Sequence, residues 1–169
     1  MMAQILMPMA MLSLLSIGAI FGFFYAWACS TMWGLDAVDP KTAITAMQAM
    51  NASVRNLVFF PGFFGTLFFL AITAPVVFGL RRRRPAFLLA ASAAVYVLGA
   101  LAVTTMIHVP MNEALAEVAI PADRETAQQI WEAYSPRWQF WNILRTIACG
   151  LALAMTGYAI FFLRDADAK

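Results

Sequence analysis

Four long, almost purely apolar stretches constrain the fold of this chain more than any other feature. They cover residues 5–29, 57–80, 85–107 and 146–163. A helix rising 1.5 Å per residue needs about 20 such residues to cross a hydrocarbon core of roughly 30 Å. The stretches are apolar throughout, whereas barrel strands alternate apolar and polar residues, so we predict four transmembrane helices.

The composition argues against a soluble domain. Hydrophobic residues make up 63% of the 169 residues and charged residues only 12%, against about 25% charged residues in soluble proteins. A soluble domain of this size could not bury so much apolar surface. We therefore predict a single all-α membrane domain over residues 1–169, a four-helix bundle in contact with membrane lipid.

A run of arginines predicts the orientation of the bundle. Residues 81–84 are all arginine, and short basic loops of this kind stay on the cytoplasmic side. Both termini would then be cytoplasmic in a multi-pass protein of the cell (inner) membrane, with segments 30–56 and 108–144 outside. The arginines form no stripe with interleaved aromatic residues, so we expect no nucleic-acid partner.

Both outer segments contain signals for the start of a helix. Asp39 followed by Pro40 is typical of an N-cap and first helical position. Asp123 can cap a second short helix, and Ser135 with Pro136 would start another one that leads into the fourth span. The apolar residues after Pro40 recur at helical spacing and predict a short amphipathic surface helix: Ile44, Met47, Met50 and Val54.

Aromatic residues cluster ahead of the fourth stretch, at Trp131, Tyr134, Trp138 and Trp141. Amphipathic rings prefer the headgroup level of a bilayer, so the simplest interpretation of the group is an interfacial belt. Stacking against a ligand is the alternative interpretation.

Polar residues recur at helical spacing beside the outer ends of the third and fourth stretches. Spacing of this kind places side chains on one helix face, so a shared polar site is predicted if both faces turn inward. Asn51, from the first outer segment, could join them. The two stripes are Thr104, His108 and Asn112, and Trp138, Asn142, Arg145 and Cys149.

His108 and Arg145 each allow two interpretations. His108, the only histidine, is either a hydrogen-bonded structural imidazole or a general base that titrates near neutral pH. Arg145 is either an interfacial anchor or a bundle-facing group for a carboxylate, phenolate or carbonyl. Cys29 and Cys149 give no disulfide framework. The sequence contains no His or Cys cluster for a metal, so we expect none and predict no cofactor.

The chain resembles, over nearly its whole length, the small four-helix membrane proteins grouped with anthrone oxygenases. The resemblance implies a cofactor-free oxygenase that converts an anthrone-type phenol to a quinone with dioxygen. The segments that carry it are residues 22–24 (GFF), 46–51 (AMQAMN) and 109–115 (VPMNEAL), together with RW at 137–138, WN at 141–142 and RT at 145–146.

If the chain is such an enzyme, His108 would be the base, because it is the only side chain in this region that titrates near neutral pH, and Arg145 with Asn142 would stabilise an oxyanion. Asn51, Asn112, Trp138 and Trp141 would bind the apolar aromatic ligand. The chain departs from the family pattern at two positions: Asn is usual where this chain has His108, and His is usual where it has Ile143. A base could be retained from the opposite wall if both positions face one pocket.

A non-catalytic role uses the same residues. The chain could be an accessory subunit bound to a membrane protein partner or to a second copy, or a bundle that binds lipid or quinone. Close helix contacts would then rely on the glycines of the spans. Convergence of the polar side chains on a cavity large enough for a ring system would favour the oxygenase.

Overall fold

The computed structural model describes the backbone of residues 2–167 and the side chains of residues 6–163. The described chain is all-α, with four helices long and apolar enough to span a membrane. The predicted fold class is therefore confirmed. The helices are α1 (Met2–Ala26, continuing through a π-helical turn at Trp27–Thr31 into Met32–Asp36), α2 (Pro40–Ser53), α3 (Phe59–Gly79), α4 (Arg83–Tyr96, continuing through π-helical segments at Val97–Ala102 and Thr104–His108 into Val109–Ala116) and α5 (Arg124–Asp167).

The turn between α3 and α4 ends α3 in a Schellman motif. Arg81 adopts a left-handed φ of 61°. Its backbone N–H donates to the Phe78 carbonyl at 2.9 Å, and the Arg82 N–H donates to the Val77 carbonyl at 3.3 Å. Two carbonyls left open by the helix end are thereby satisfied. The end of the bundle opposite this turn is called the distal end below.

Close contacts join the membrane helices. Gly99 on α4 lies so near α5 that a methyl group at this position would come within 2.3 Å of the Ala148 Cβ. The Ser92 hydroxyl donates to the Ala152 carbonyl at 2.9 Å, and the Tyr96 hydroxyl donates to the Phe63 carbonyl at 2.7 Å. These bonds satisfy polar groups at membrane depth, where an unpaired one would be costly.

The predicted caps are present. The Asp39 carboxylate accepts from the Lys41 backbone N–H at 3.0 Å and starts α2 with Pro40. The Asp123 carboxylate accepts from the Thr126 N–H at 2.7 Å and caps α5. The hydrogen bonds from Thr126 lower the pKa of Asp123, because they favour its charged form.

The predicted helix start at Ser135 and Pro136 is wrong, because α5 runs unbroken for 44 residues. A proline at this position loses the bond to the carbonyl of Glu132, and its ring crowds that carbonyl. Glu132 lies on the exposed face, where water can satisfy that carbonyl. Packing of the preceding turns against α2 offsets this cost, so the helix continues through the proline.

The interfacial belt is likewise wrong for three of the four aromatic residues. Trp131, Tyr134 and Trp138 are buried in a second core formed with α2. Asp36, at the end of α1, accepts hydrogen bonds from Trp131 Nε1 at 2.9 Å and from the Ser135 hydroxyl at 2.7 Å. This carboxylate therefore fastens α1 to α5 and keeps the tryptophan inside the protein.

Candidate functional site

A cavity of about 330 Å³ lies at the distal end, surrounded by all five helices. This volume is in the range of small-molecule sites, which combine apolar walls with a few converging polar groups. Its apolar lining is Phe23, Phe24, Trp27, Met50, Val54, Phe59, Phe60, Phe63, Phe64, Val109 and Trp138, and its polar lining is Asn51, Arg55, Thr104, Thr105, His108, Asn112, Glu113 and Arg145.

Arg145 places a buried guanidinium at the wall of the cavity. Its side chain is only 5% exposed, so it is not an anchor reaching water. Nη1 donates to the Thr104 hydroxyl at 3.1 Å, and Nη2 donates to Asn142 Oδ1 at 2.8 Å. The guanidinium lies over the Phe24 ring, 4.1 Å from its centroid. Aromatic faces of this kind stabilise a cation when water is excluded.

No carboxylate neutralises Arg145 within the part of the chain that the structure describes. Glu113 is the one acidic residue lining the cavity, and it pairs instead with Arg55 at 3.2 Å at an exposed position. Arg145 Nε is buried and donates to no group among residues 6–163. A buried cation with an unused donor is costly unless something anionic completes it, so the site suits an oxyanion.

His108 faces the same cavity from α4 and is 1% exposed. Its Nε2 lies 3.3 Å from the Trp138 carbonyl, an acceptor that selects the tautomer with the proton on Nε2. The Val103 carbonyl is a further neighbour of the ring, but Nδ1 meets no partner at hydrogen-bond geometry in the described chain. In this tautomer Nδ1 carries the free lone pair.

Two π-helical segments adjoin the cavity. Thr104 and His108 are the ends of one segment in α4, and Trp27 begins the other in α1. The wider turn changes the direction in which successive side chains leave the helix, and such segments are frequent at functional sites. All three residues line the cavity.

Asn112 is the centre of a hydrogen-bond network on the far wall. Its Oδ1 accepts from the Tyr134 hydroxyl at 2.8 Å and from Trp138 Nε1 at 3.1 Å. The indole can only donate, so this contact defines which amide atom is the oxygen. Asn51 Nδ2 donates weakly to the same Tyr134 hydroxyl at 3.4 Å. The network orients Asn51 and Asn112 at the cavity wall.

Two of the residues predicted from the sequence do not line the cavity. Asn142 is fully buried behind Arg145, and its amide donates to the Phe24 carbonyl at 3.0 Å. It therefore holds the guanidinium, and its burial outside the cavity lining keeps it from contacting a ligand there. Trp141 is half-buried on another face of α5, where its ring lies edge-on to Phe140. Asn51, His108, Asn112, Trp138 and Arg145 do meet at the cavity.

Two features of the site were not predicted from the sequence: the phenylalanine walls and the ion pair at the rim of the cavity. The signal for the walls was present in α3, where Phe59 with Phe63 and Phe60 with Phe64 repeat at a spacing of four, one helix face each. Arg55 and Glu113 gave no local signal, because they lie 58 residues apart. Only the tertiary structure shows that these phenylalanines line a cavity and that Arg55 and Glu113 form an ion pair at its rim.

Ile143 lies outside the cavity lining and is 48% exposed. Positions 108 and 143 thus do not share one pocket, and His108 does not replace a base from that part of α5. Cys29 and Cys149 are both free thiols. No group of three or more His, Cys, Asp or Glu residues could hold a metal within the described chain.

The chain was compared with family models, curated proteins and solved structures. The family model described as anthrone oxygenase matches residues 50–155, a range that contains Asn51, His108, Asn112, Trp138 and Arg145. No curated protein and no solved structure matches the chain.

Proposed function

The chain belongs to the anthrone oxygenase family, and from this membership and the geometry of the cavity we propose that it is a cofactor-free oxygenase of an apolar polycyclic phenol. The observation that carries the proposal is the pairing of two buried polar groups in one aromatic cavity. Arg145 offers an unused N–H donor, and His108 offers an unused nitrogen. A small molecule with an oxyanion and an acidic proton would satisfy both groups, because the oxyanion would accept from Arg145 and the proton would go to His108.

Proton removal is the first step that these residues support. An anthrone carries an acidic C–H group opposite its carbonyl, and loss of that proton spreads negative charge from carbon to the carbonyl oxygen. Nδ1 of His108 would accept the proton, and the Nε2–H bond to the Trp138 carbonyl would hold the imidazole in place. A positioned base of this kind contributes about 10² to 10⁴-fold to the rate.

Stabilisation of the oxyanion is the role proposed for Arg145. Nε would donate to the phenolate-like oxygen, while Thr104 and Asn142 hold the other two nitrogens. The fixed orientation matters, because a preorganised donor in a dry site needs no rearrangement when charge develops. Asn142 is thus proposed as a positioning residue, and Asn51, Asn112 and Trp138 as ligand contacts.

The anion itself can reduce dioxygen, so no further reductant is needed. The carbanion carbon forms a bond to O₂ and gives a peroxide, which is protonated and then loses water as the remaining C–H bond breaks. Anthrone and O₂ thereby yield anthraquinone and H₂O. Oxygen and the apolar ring system both dissolve well in the bilayer around the cavity.

The proposal includes the location of the site. We infer that the arginine turn lies in the cytoplasm of a cell with an inner membrane, because short basic loops are retained there. The cavity would then open at the outer leaflet. All five helices of one chain contribute to the lining of the cavity, and we propose that a single chain binds the ligand.

A second candidate is a protein that binds a quinone or a phenol without oxidising it. The observation that favours it is the exposed position of Ile143, because the histidine usual in the family is absent there and His108 does not stand in its place. The same cavity would then hold the product-like quinone, with its carbonyl oxygen on Arg145.

Oxidation by the purified protein separates the two candidates. The protein in nanodiscs would be mixed with anthrone, and oxygen uptake and quinone absorbance would be followed together. We expect one O₂ consumed per quinone formed, and a loss of about 10² to 10⁴-fold in the rate for His108→Asn, since an amide cannot accept the proton. Thr45→Val is the control, because the Thr45 hydroxyl donates only within its own helix and lies outside the cavity lining. Full activity of the asparagine variant would remove His108 from the mechanism, and tight quinone binding without oxidation would favour the second candidate.

A further inference from the structure

A second cavity of about 380 Å³ adjoins the first and extends between α1 and α3. Its walls are mainly apolar. Ala19, which lies on the α1 wall and well inside the apolar stretch 5–29, is exposed. α1 and α3 are both long and apolar enough to span a membrane, so an exposed residue in the middle of such a helix faces lipid. The second cavity therefore opens toward the hydrocarbon region and is separate from the polar network around Asn112.

The two cavities meet at a shared set of side chains. Five residues, contributed by α1, α2, the turn after α2 and α3, line both of them: Phe23, Trp27, Met50, Val54 and Phe59. Methionine is flexible and adapts to the shape of a ligand. The boundary thus consists of apolar side chains and contains no charged residue.

Aromatic contacts run continuously from this boundary to the candidate base. The Phe59 and Phe23 ring centroids are 5.1 Å apart, and those of Phe23 and Trp27 are 6.2 Å apart. Trp27 contacts Trp138 at 5.2 Å, and Trp138 contacts His108 edge-on at 5.0 Å. Rings at these separations offer stacking and edge contacts to a flat ligand. A ring system would pack at the His108 end, and a chain of methylene groups could continue past Phe59.

We propose that the second cavity holds the hydrocarbon tail of the ligand, whose ring system occupies the first cavity with its oxygen on Arg145. The protein thus acts on a membrane-resident phenol that carries an aliphatic chain. This inference rests on the proposed function for the position of the ring. The occupant follows from continuity with the polar site at one end and from the opening to lipid at the other.

The test fills the second cavity and compares two ligands. Ala19 lines the second cavity but not the first, so Ala19→Phe would occupy the tail site alone. The matched control is Ala71→Phe, on an exposed position of α3 that lines neither cavity. Gly62→Val, from the opposite wall, is a second filling variant, because a Cβ there would meet Ile20 Cδ1 at an ordinary 3.5 Å.

The probes are anthrone and an anthrone bearing an octyl chain. Their binding to the protein in nanodiscs is measured without oxygen by quenching of tryptophan fluorescence. Partition of the tailed probe into lipid is the same for every variant, so ratios between variants report the protein site alone. We expect Ala19→Phe and Gly62→Val to weaken binding of the tailed probe about tenfold through overpacking, and to change binding of anthrone less than twofold. Ala71→Phe should change the binding of neither probe.

Each other outcome overturns the inference. Equal weakening of both probes by the filling variants would mean that the second cavity is a passage or part of the ring site. No effect on either probe would leave the tail without a site in this cavity. Failure of both probes to bind the unaltered protein would refute the proposed function and the tail site with it. If both probes bind and the filling variants do not weaken the tailed probe more than anthrone, the tail site alone is refuted.

Discussion

The close approach of α4 and α5 at Gly99 supports a prediction whose size follows from the geometry. A Cβ added at Gly99 would lie 2.3 Å from the Ala148 Cβ, against about 3.5 Å or more for carbon atoms in contact. Neither methyl group has a rotamer that relieves the overlap. The two helix backbones must therefore separate by roughly 1 Å, and we expect Gly99→Ala to cost about 1 to 3 kcal/mol, the usual range for overpacking.

A double-mutant cycle isolates this contact. Ala148→Gly removes the opposing methyl group, so adding it to Gly99→Ala should restore most of the lost stability and give a coupling energy of about 1 kcal/mol or more. The free energy of unfolding would be measured for all four proteins in bilayer-like micelles. Gly22→Ala is the control, because nothing lies within 4 Å of a Cβ there.

The same cycle has a functional consequence. Thr104 and His108 follow Gly99 on α4, while Arg145 precedes Ala148 on α5, so separation of the helices would move the candidate base away from the guanidinium. Ligand binding should fall in Gly99→Ala and recover in the double variant. Equal stability of Gly99→Ala and Gly22→Ala would contradict this prediction, as would a double variant in which Ala148→Gly restores neither stability nor ligand binding.

Three further outcomes are expected. Thr104→Val removes a hydrogen bond to the Arg145 guanidinium and should weaken binding of a phenolate ligand about tenfold. Thr45→Val, outside the cavity lining, should change that binding less than twofold; equal effects would contradict the proposed role of Thr104. Arg81→Gly should raise the free energy of unfolding by about 1 kcal/mol, because glycine adopts the left-handed conformation at no steric cost, while Arg84→Gly, which removes the same charge, should not. A cysteine placed at Arg84 should not react with impermeant thiol reagents added to intact cells, because the arginine turn is predicted to be cytoplasmic. Labelling from outside would contradict this orientation.

Local chemistry made much of the fold predictable. Four apolar stretches predict four spans, because the free energy of transferring a helix into lipid is a sum over its own residues. The caps at Asp39 and Asp123 were also correct, since a carboxylate one turn from an unpaired N–H needs no distant partner. The structure confirms both features.

Other features depended on partners far away in the chain. Pro136 starts a helix by its local preference, yet α5 continues through it because packing against α2 outweighs the lost hydrogen bond and the crowding by the proline ring. Trp131 and Trp138 suit a headgroup belt by composition, but Asp36 and Asn112 provide buried acceptors for their indole N–H groups. No periodicity could reveal those acceptors.

The candidate site shows the same division. Helical spacing alone put Thr104, His108 and Asn112 on one face, and the sequence placed Arg145 at matching depth on another helix. Tertiary packing decided that Arg145 lacks a carboxylate partner in the described chain and that Asn142 lies behind it, because which neighbour completes a buried charge depends on how five helices meet. Burial gives those contacts their energetic weight, and the linear sequence does not contain burial.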